Sequence, residues 1–149
     1  MIERSVRDGD IASGQVALPG GRADDADESM RATALRELHE EVGLGPADLV
    51  GTLGLVGVEE ASLFNMHVAV YSAALGPSPG PRAADPHEVA HVFWLPVTAL
   101  DTVEPVERAT RSGLRKVPAI VHEGHVLWGF TFRVLRQFFD RPEPATPPG

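Results

Sequence analysis

The segment Ala34–Leu44, ALRELHEEVGL, constrains this chain more tightly than any other stretch of its sequence. Ser29 offers an N-cap, good helix formers follow, and Gly43 stops the run, so the pattern predicts a helix over about Glu28–Val42. At about 100° per residue, Glu37, Glu40 and Glu41 fall on one face within roughly a 100° arc, and Ala34, Leu35, Leu38 and Val42 line the adjoining face. The apolar stripe can seat the helix on a sheet. The acidic stripe needs a reason, because carboxylates spaced i, i+3 and i, i+4 repel one another and cost helix stability. A solvated surface is the common reason. A divalent cation is another, since hard cations such as Mg²⁺ take carboxylate oxygens and also grip phosphate oxygens.

Around this helix the hydrophobic pattern is mostly that of strands. Gly14–Leu18 is a short apolar stretch ending in the turn Pro19-Gly20-Gly21, and Arg22–Asp27 reads as an exposed acidic loop. Val50–Val58, Phe64–Ala74 and Val89–Leu95 read as strands, the last closed by Pro96 and followed by a helical turn at Val97–Leu100. Val117–Val121 and His125–Trp128 suit a hairpin around Glu123-Gly124. Phe130, Val134, Leu135 and Phe138 recur at helical spacing, which predicts a second, core-packing helix over Phe130–Phe139. Strands with two substantial helices make an α/β (α+β, mixed-sheet) domain, expected over residues 1–140. Gly76–Arg82 is a Pro/Gly loop, and residues 141–149, with four prolines in nine, form a tail not expected to pack.

At 149 residues the chain can bury one good core, and 43% hydrophobic with 23% charged residues is a globular composition. With no cysteine, disulfides and thiolate metal sites are excluded, which fits a cytoplasmic protein. The charged N-terminus does not read as a signal peptide and no apolar run is long enough to span a bilayer, so no membrane partner is expected. A net charge of −8 argues against binding a nucleic-acid backbone. An anionic substrate would therefore need a cation to neutralise it.

Pro19-Gly20-Gly21 followed by Arg36-Glu37-Leu38-His39-Glu40-Glu41-Val42-Gly43-Leu44 resembles the Nudix box: a glycine, a spacer carrying a glutamate, then Arg-Glu-apolar-any-Glu-Glu-any-Gly-apolar. The second half matches at every specified position. The resemblance implies an α/β/α sandwich and hydrolysis of a nucleoside diphosphate linked to another group. It implies Glu37, Glu40 and Glu41 as ligands of Mg²⁺ (or Mn²⁺), with the Gly20 carbonyl as a further ligand. Arg36 would orient the glutamates through an ion pair, and Glu28 matches the spacer glutamate in its distance from Arg36. Glu88, in Pro86-His87-Glu88-Val89, is the candidate for a further ligand or base. Either Glu37 or Glu88 would then accept the proton of the attacking water.

Between Gly21 and Arg36 the spacer is one residue longer than the common box and bears aspartates, as in the coenzyme A pyrophosphatase branch. Gly14-Gln15-Val16, Trp128-Gly129-Phe130-Thr131, Arg4-Ser5 and Glu88–Pro96 are similar to that branch too, so the resemblance runs from Arg4 to about Phe139. It implies coenzyme A cleavage to phosphopantetheine and adenosine 3′,5′-bisphosphate. Members of the family carry an N-terminal strand or two before the region where this chain starts. The expectation is that the start codon lies upstream or that a strand of the sheet is missing. Other nucleotide substrates stay open (a nucleoside triphosphate, ADP-ribose, a dinucleoside polyphosphate), as do a non-catalytic sensor domain and a homodimer. His122 and His125 bracket a turn and read as polar loop rather than metal ligands; His39 and His87 have no required role; Trp94 and Trp128 read as core.

Overall fold

The computed structural model describes residues 1–9, 12–61, 65–77, 80–110 and 112–139. The proline-rich residues 141–149, Phe64, and residues 78–79 of the Gly76–Arg82 loop lie outside them. Among the described residues, eight strands and two helices follow in the order β1 (Ile2–Arg4), β2 (Val16–Ala17), α1 (Met30–Val42), β3 (Leu49–Ala61), β4 (Met66–Leu75), β5 (Val89–Val92), β6 (Val103–Thr110), β7 (Gly113–His122), β8 (His125–Trp128) and α2 (Gly129–Phe139). Short 3₁₀ turns occupy Pro46–Asp48 and Val97–Asp101. The strands form three sheets, β2-β1-β5, β3-β4 and β6-β7-β8, and every pairing in them is antiparallel.

Local chemistry accounts for α1. The Ser29 hydroxyl accepts from the Ala32 N–H at 3.2 Å, satisfying one of the helix's unpaired donors. Gly43 ends the helix at φ 68°, a left-handed conformation that suits glycine, and returns its N–H to the His39 carbonyl at 2.9 Å. Glu28 therefore precedes the cap instead of opening the helix.

Adjacent residues of the β2-β1-β5 sheet reach different cores. Ile2, Ala17 and Val92 pack with Val42 and Leu38 of α1. Their neighbours Met1, Val16 and Phe93 pack with Ile120, Leu127 and, from α2, Leu135. Successive strand residues face opposite ways, so the two helices cover opposite faces of this sheet. The result is the α/β/α arrangement of a Nudix-like fold. The buried Thr131 hydroxyl donates to the Val16 carbonyl at 3.1 Å and ties α2 to β2. The middle strand of this sheet is β1 (Ile2–Arg4), flanked by β2 and β5.

Strand β6 and the first half of β7 carry no strand signal in the sequence. Their hairpin projects outward, with Val103 and Leu114 exposed and Glu104, Pro105, Glu107, Arg108, Arg115 and Lys116 along it, so no buried face imposes alternation. Trp94 is 65% exposed, which corrects its assignment to the core: it lies just beyond Phe93, whose N–H and carbonyl still bond Met1 at the edge of β1. Trp128 is partly buried.

Ile120 and Leu127 are fully buried and stand between α2 and the sheet. Replacing either by alanine should cost about 2–5 kcal/mol of folding stability, read from the midpoint of chemical denaturation. A loss below 1 kcal/mol (roughly the range of a surface change) would show that this core is not placed as described.

Candidate functional site

The Pro-Gly-Gly turn closes over the acidic face of α1. The Gly20 N–H donates to Glu41 Oε2 at 2.8 Å. A Cβ on Gly21 would lie 2.3 Å from Glu37 Oε1, inside any permitted contact, so a side chain there would push the Glu37 carboxylate from its place beside Arg36. Glu41 is 2% exposed. Burial pushes its carboxyl up to about 7; the charges of Glu37 and Glu88 push the same way, while the Gly20 N–H and the Arg4 charge oppose.

Arg36 organises the other two glutamates. Its Nη1 bonds Glu37 Oε1 at 3.0 Å and Glu40 Oε2 at 2.9 Å, so one oxygen of each is engaged. The rest of the guanidinium is fixed from the spacer. Nε bonds Asp27 Oδ1 at 3.1 Å, and Nη2 bonds Asp27 Oδ2 at 2.9 Å and the Arg22 carbonyl at 3.0 Å. The Thr33 hydroxyl donates to Asp27 Oδ2 at 2.9 Å. The Arg36 hydrogen bonds hold the Asp27 carboxyl well below the usual carboxylate range. Asp27, not Glu28, is thus the spacer acid that holds Arg36, a residue the sequence reading missed. Both acids precede the cap, and only the path of the loop selects between them.

The three glutamates differ in exposure: Glu41 is enclosed, the Glu37 side chain is 13% exposed and that of Glu40 is 52% exposed. Glu88 makes no ion pair with the α1 residues. It stands near enough to raise the Glu41 carboxyl, and its own carboxylate lies 3.6 Å from Arg7 Nη1. Two backbone bonds fasten the segment before it to the end of α1, from the Ala84 N–H to the Glu41 carbonyl at 3.0 Å and from the Arg82 N–H to the Val42 carbonyl at 3.1 Å.

The donor set suits a hard cation. Glu41 is enclosed with the Gly20 N–H and the Arg4 charge on one side of the balance and the charges of Glu37 and Glu88 on the other, and Arg36 engages one oxygen of Glu37 and one of Glu40. Among the described residues no three His, Asp or Glu side chains are already drawn together at metal-ligand distance, so binding would have to gather them.

Of the histidines, His125 is not loop surface. Its Nδ1 lies 2.8 Å from Glu3 Oε2 and its ring stacks on Phe93 with centroids 4.0 Å apart. Glu3 alternates with Ile2 and Arg4 along β1, so this contact belongs to the sheet face away from α1.

Raising a buried carboxyl means the folded chain holds that proton more tightly than the unfolded chain. The associated stability is complete below about 4.5 and is lost as the pH rises through about 7. In the presence of a chelator Glu41→Gln should therefore melt higher than wild type at pH 8, by a free energy on the order of 3 kcal/mol, with the difference vanishing near pH 4.5. A variant less stable than wild type at pH 8 would contradict this.

The sequence that carries this site has known relatives. The family model for the NUDIX domain matches residues 1–117. An uncharacterized Nudix hydrolase NudL from Cronobacter sakazakii is 33% identical over 130 residues, covering 84% of this chain and 65% of that protein. The NudL proteins of Photorhabdus laumondii and Escherichia coli O7:K1 are each 32% identical and cover 84% of this chain, with 67% and 65% of their own lengths matched. This chain thus spans about two thirds of the length of these relatives. The glycine turn, the arginine and the three glutamates lie within the matched stretch, and the chain belongs to the NUDIX domain family.

Proposed function

We propose that the chain is a divalent-metal-dependent hydrolase of a pyrophosphate linkage in a nucleoside diphosphate derivative, with coenzyme A or its derivatives as substrate. The observation that carries this reading is Glu41, a carboxylate buried under the Gly20 N–H and flanked by the charges of Glu37 and Glu88. Burying a charge in this way is costly without a compensating partner. A divalent cation bound there would neutralise phosphate charge and lower the pKa of a water. Glu37, Glu40 and Glu41 would hold it, with the Gly20 carbonyl.

The remaining work falls to the chain's own residues. Asp27 fixes Arg36, and Arg36 fixes one oxygen of Glu37 and one of Glu40, leaving the other oxygen of each for the cation. The Gly20 N–H fixes Glu41. Either Glu37 or Glu88 accepts the proton of the attacking water. Little covalent chemistry is asked of the protein, so catalysis is a matter of positions held before the substrate arrives. The coenzyme A reading is supported by the long spacer, whose Asp27 has a defined structural task, and by the Trp128–Thr131 run, whose Thr131 bonds β2 beside the Gly14-Gln15-Val16 stretch.

The test is metal-dependent hydrolysis over a panel of coenzyme A, ADP-ribose, nucleoside triphosphates and dinucleoside polyphosphates. Coenzyme A should be cut fastest, to phosphopantetheine and adenosine 3′,5′-bisphosphate. Chelation should abolish turnover, and Glu41→Gln should lower it by roughly 100-fold or more; near-wild-type hydrolysis by that variant in excess Mg²⁺ would reject the assignment. Asp27→Asn, which weakens the hold on Arg36, should lower kcat about tenfold or more, while Glu28→Gln should leave it near wild type. The reverse order would return the spacer role to Glu28.

A further inference from the structure

Ser5 and Arg7, which follow β1, bond three successive carbonyls in the segment that leads into β5. The Ser5 hydroxyl donates to the Pro86 carbonyl at 2.9 Å, and the Ser5 N–H to the Glu88 carbonyl at 2.9 Å. Between them, Arg7 Nε donates to the His87 carbonyl at 2.9 Å, and Nη2 reaches the same oxygen. The remaining guanidinium nitrogen, Nη1, is the one beside Glu88 Oε1. Arg7 is itself held at its N–H by the Ser13 hydroxyl at 2.8 Å. The segment also folds back on itself, with the Glu88 and Val89 N–H groups on the Asp85 carbonyl and the His87 N–H on Asp85 Oδ1 at 2.8 Å.

The backbone around Glu88 is thus fixed from both sides, and its half-exposed carboxylate lies beside the Arg7 guanidinium. We infer that Arg7 is a positioning residue, whose guanidinium spans the His87 carbonyl and the Glu88 carboxylate and so sets where Glu88 stands relative to Glu41. The inference rests on the pyrophosphatase proposed above and, of the two proton acceptors named there, takes Glu88. An exposed ion pair at this separation contributes little to stability. Its consequence is positional, and a displacement of about 1 Å at a reacting group can cost on the order of 100-fold in rate.

The experiment is a double-mutant cycle of Arg7→Ala and Glu88→Gln, on the best substrate of the panel in excess Mg²⁺. Arg7→Ala should lower kcat roughly tenfold or more with KM and melting temperature little changed, and Arg7→Lys, which keeps the charge but not the fork, should fall between. In the Glu88→Gln background, Arg7→Ala should cause no further loss. Losses that multiply, a full-rate Arg7→Ala enzyme, or a full-rate Glu88→Gln enzyme would each overturn the inference while leaving the pyrophosphatase reading to stand on Glu41. If wild type hydrolyses nothing on the panel, that reading fails instead. Amide hydrogen exchange then decides whether Arg7 holds the segment: faster exchange at His87–Val89 in Arg7→Ala supports it, and unchanged exchange rejects it.

Discussion

Glu41 sets the terms for the structure around it. A carboxylate nearly closed off from water is expensive to keep charged, and the neighbouring residues fall into those that enclose it and those that share its charge. Val42, the next residue, is buried with Ile2, Leu44 and Val89, and this packing fixes the rotation of α1 about its axis. That rotation carries Glu41 inward and Glu40 outward. The Gly20 N–H then caps the buried carboxylate, and Gly21 lets the turn come down onto Glu37. Helix register, core packing and the acidic site are one arrangement, and moving any of them moves the others.

Arg36 has a different task. Each of its three nitrogens is engaged, by Asp27 and the Arg22 carbonyl from the spacer and by Glu37 and Glu40 from its own helix. A guanidinium fork bound at both ends has little freedom left, and the planar Asp27 contact gives it direction as well as charge. The repulsion expected among carboxylates on one helix face is met here on one side by a cation from the protein itself. The aspartate-bearing spacer is therefore part of the site's framework.

The two faces of the β2-β1-β5 sheet have separate duties. Toward α1, Ile2 supports the helix and the Arg4 charge offsets that of Glu41. Away from α1, Glu3 pairs with His125, and Phe93 stacks on that ring. Strand alternation alone produces this division, which places the Glu3–His125 contact close in sequence to Arg4 but on the far side of the sheet.

Much of this was legible in the chain itself. The helix from its cap at Ser29 to Gly43, the strand at Val50–Val58, the first part of the strand expected over Val89–Leu95, and the placing of Glu37, Glu40 and Glu41 on one helix face follow from periodicity and local backbone chemistry, which act over a few residues. The family resemblance followed from the string Arg36–Leu44 with Pro19-Gly20-Gly21. What only the tertiary structure decided depends on segments distant in sequence. The choice of Asp27 over Glu28 turns on the path of a loop, the burial of Glu41 on a turn about twenty residues earlier, and the setting of Glu88 on Ser5 and Arg7 more than eighty residues away. The β6–β7 hairpin and the exposure of Trp94 were hidden for a related reason. Hydrophobic pattern reports burial, and residues that reach out into solvent leave no periodic trace of the hydrogen bonds that order them.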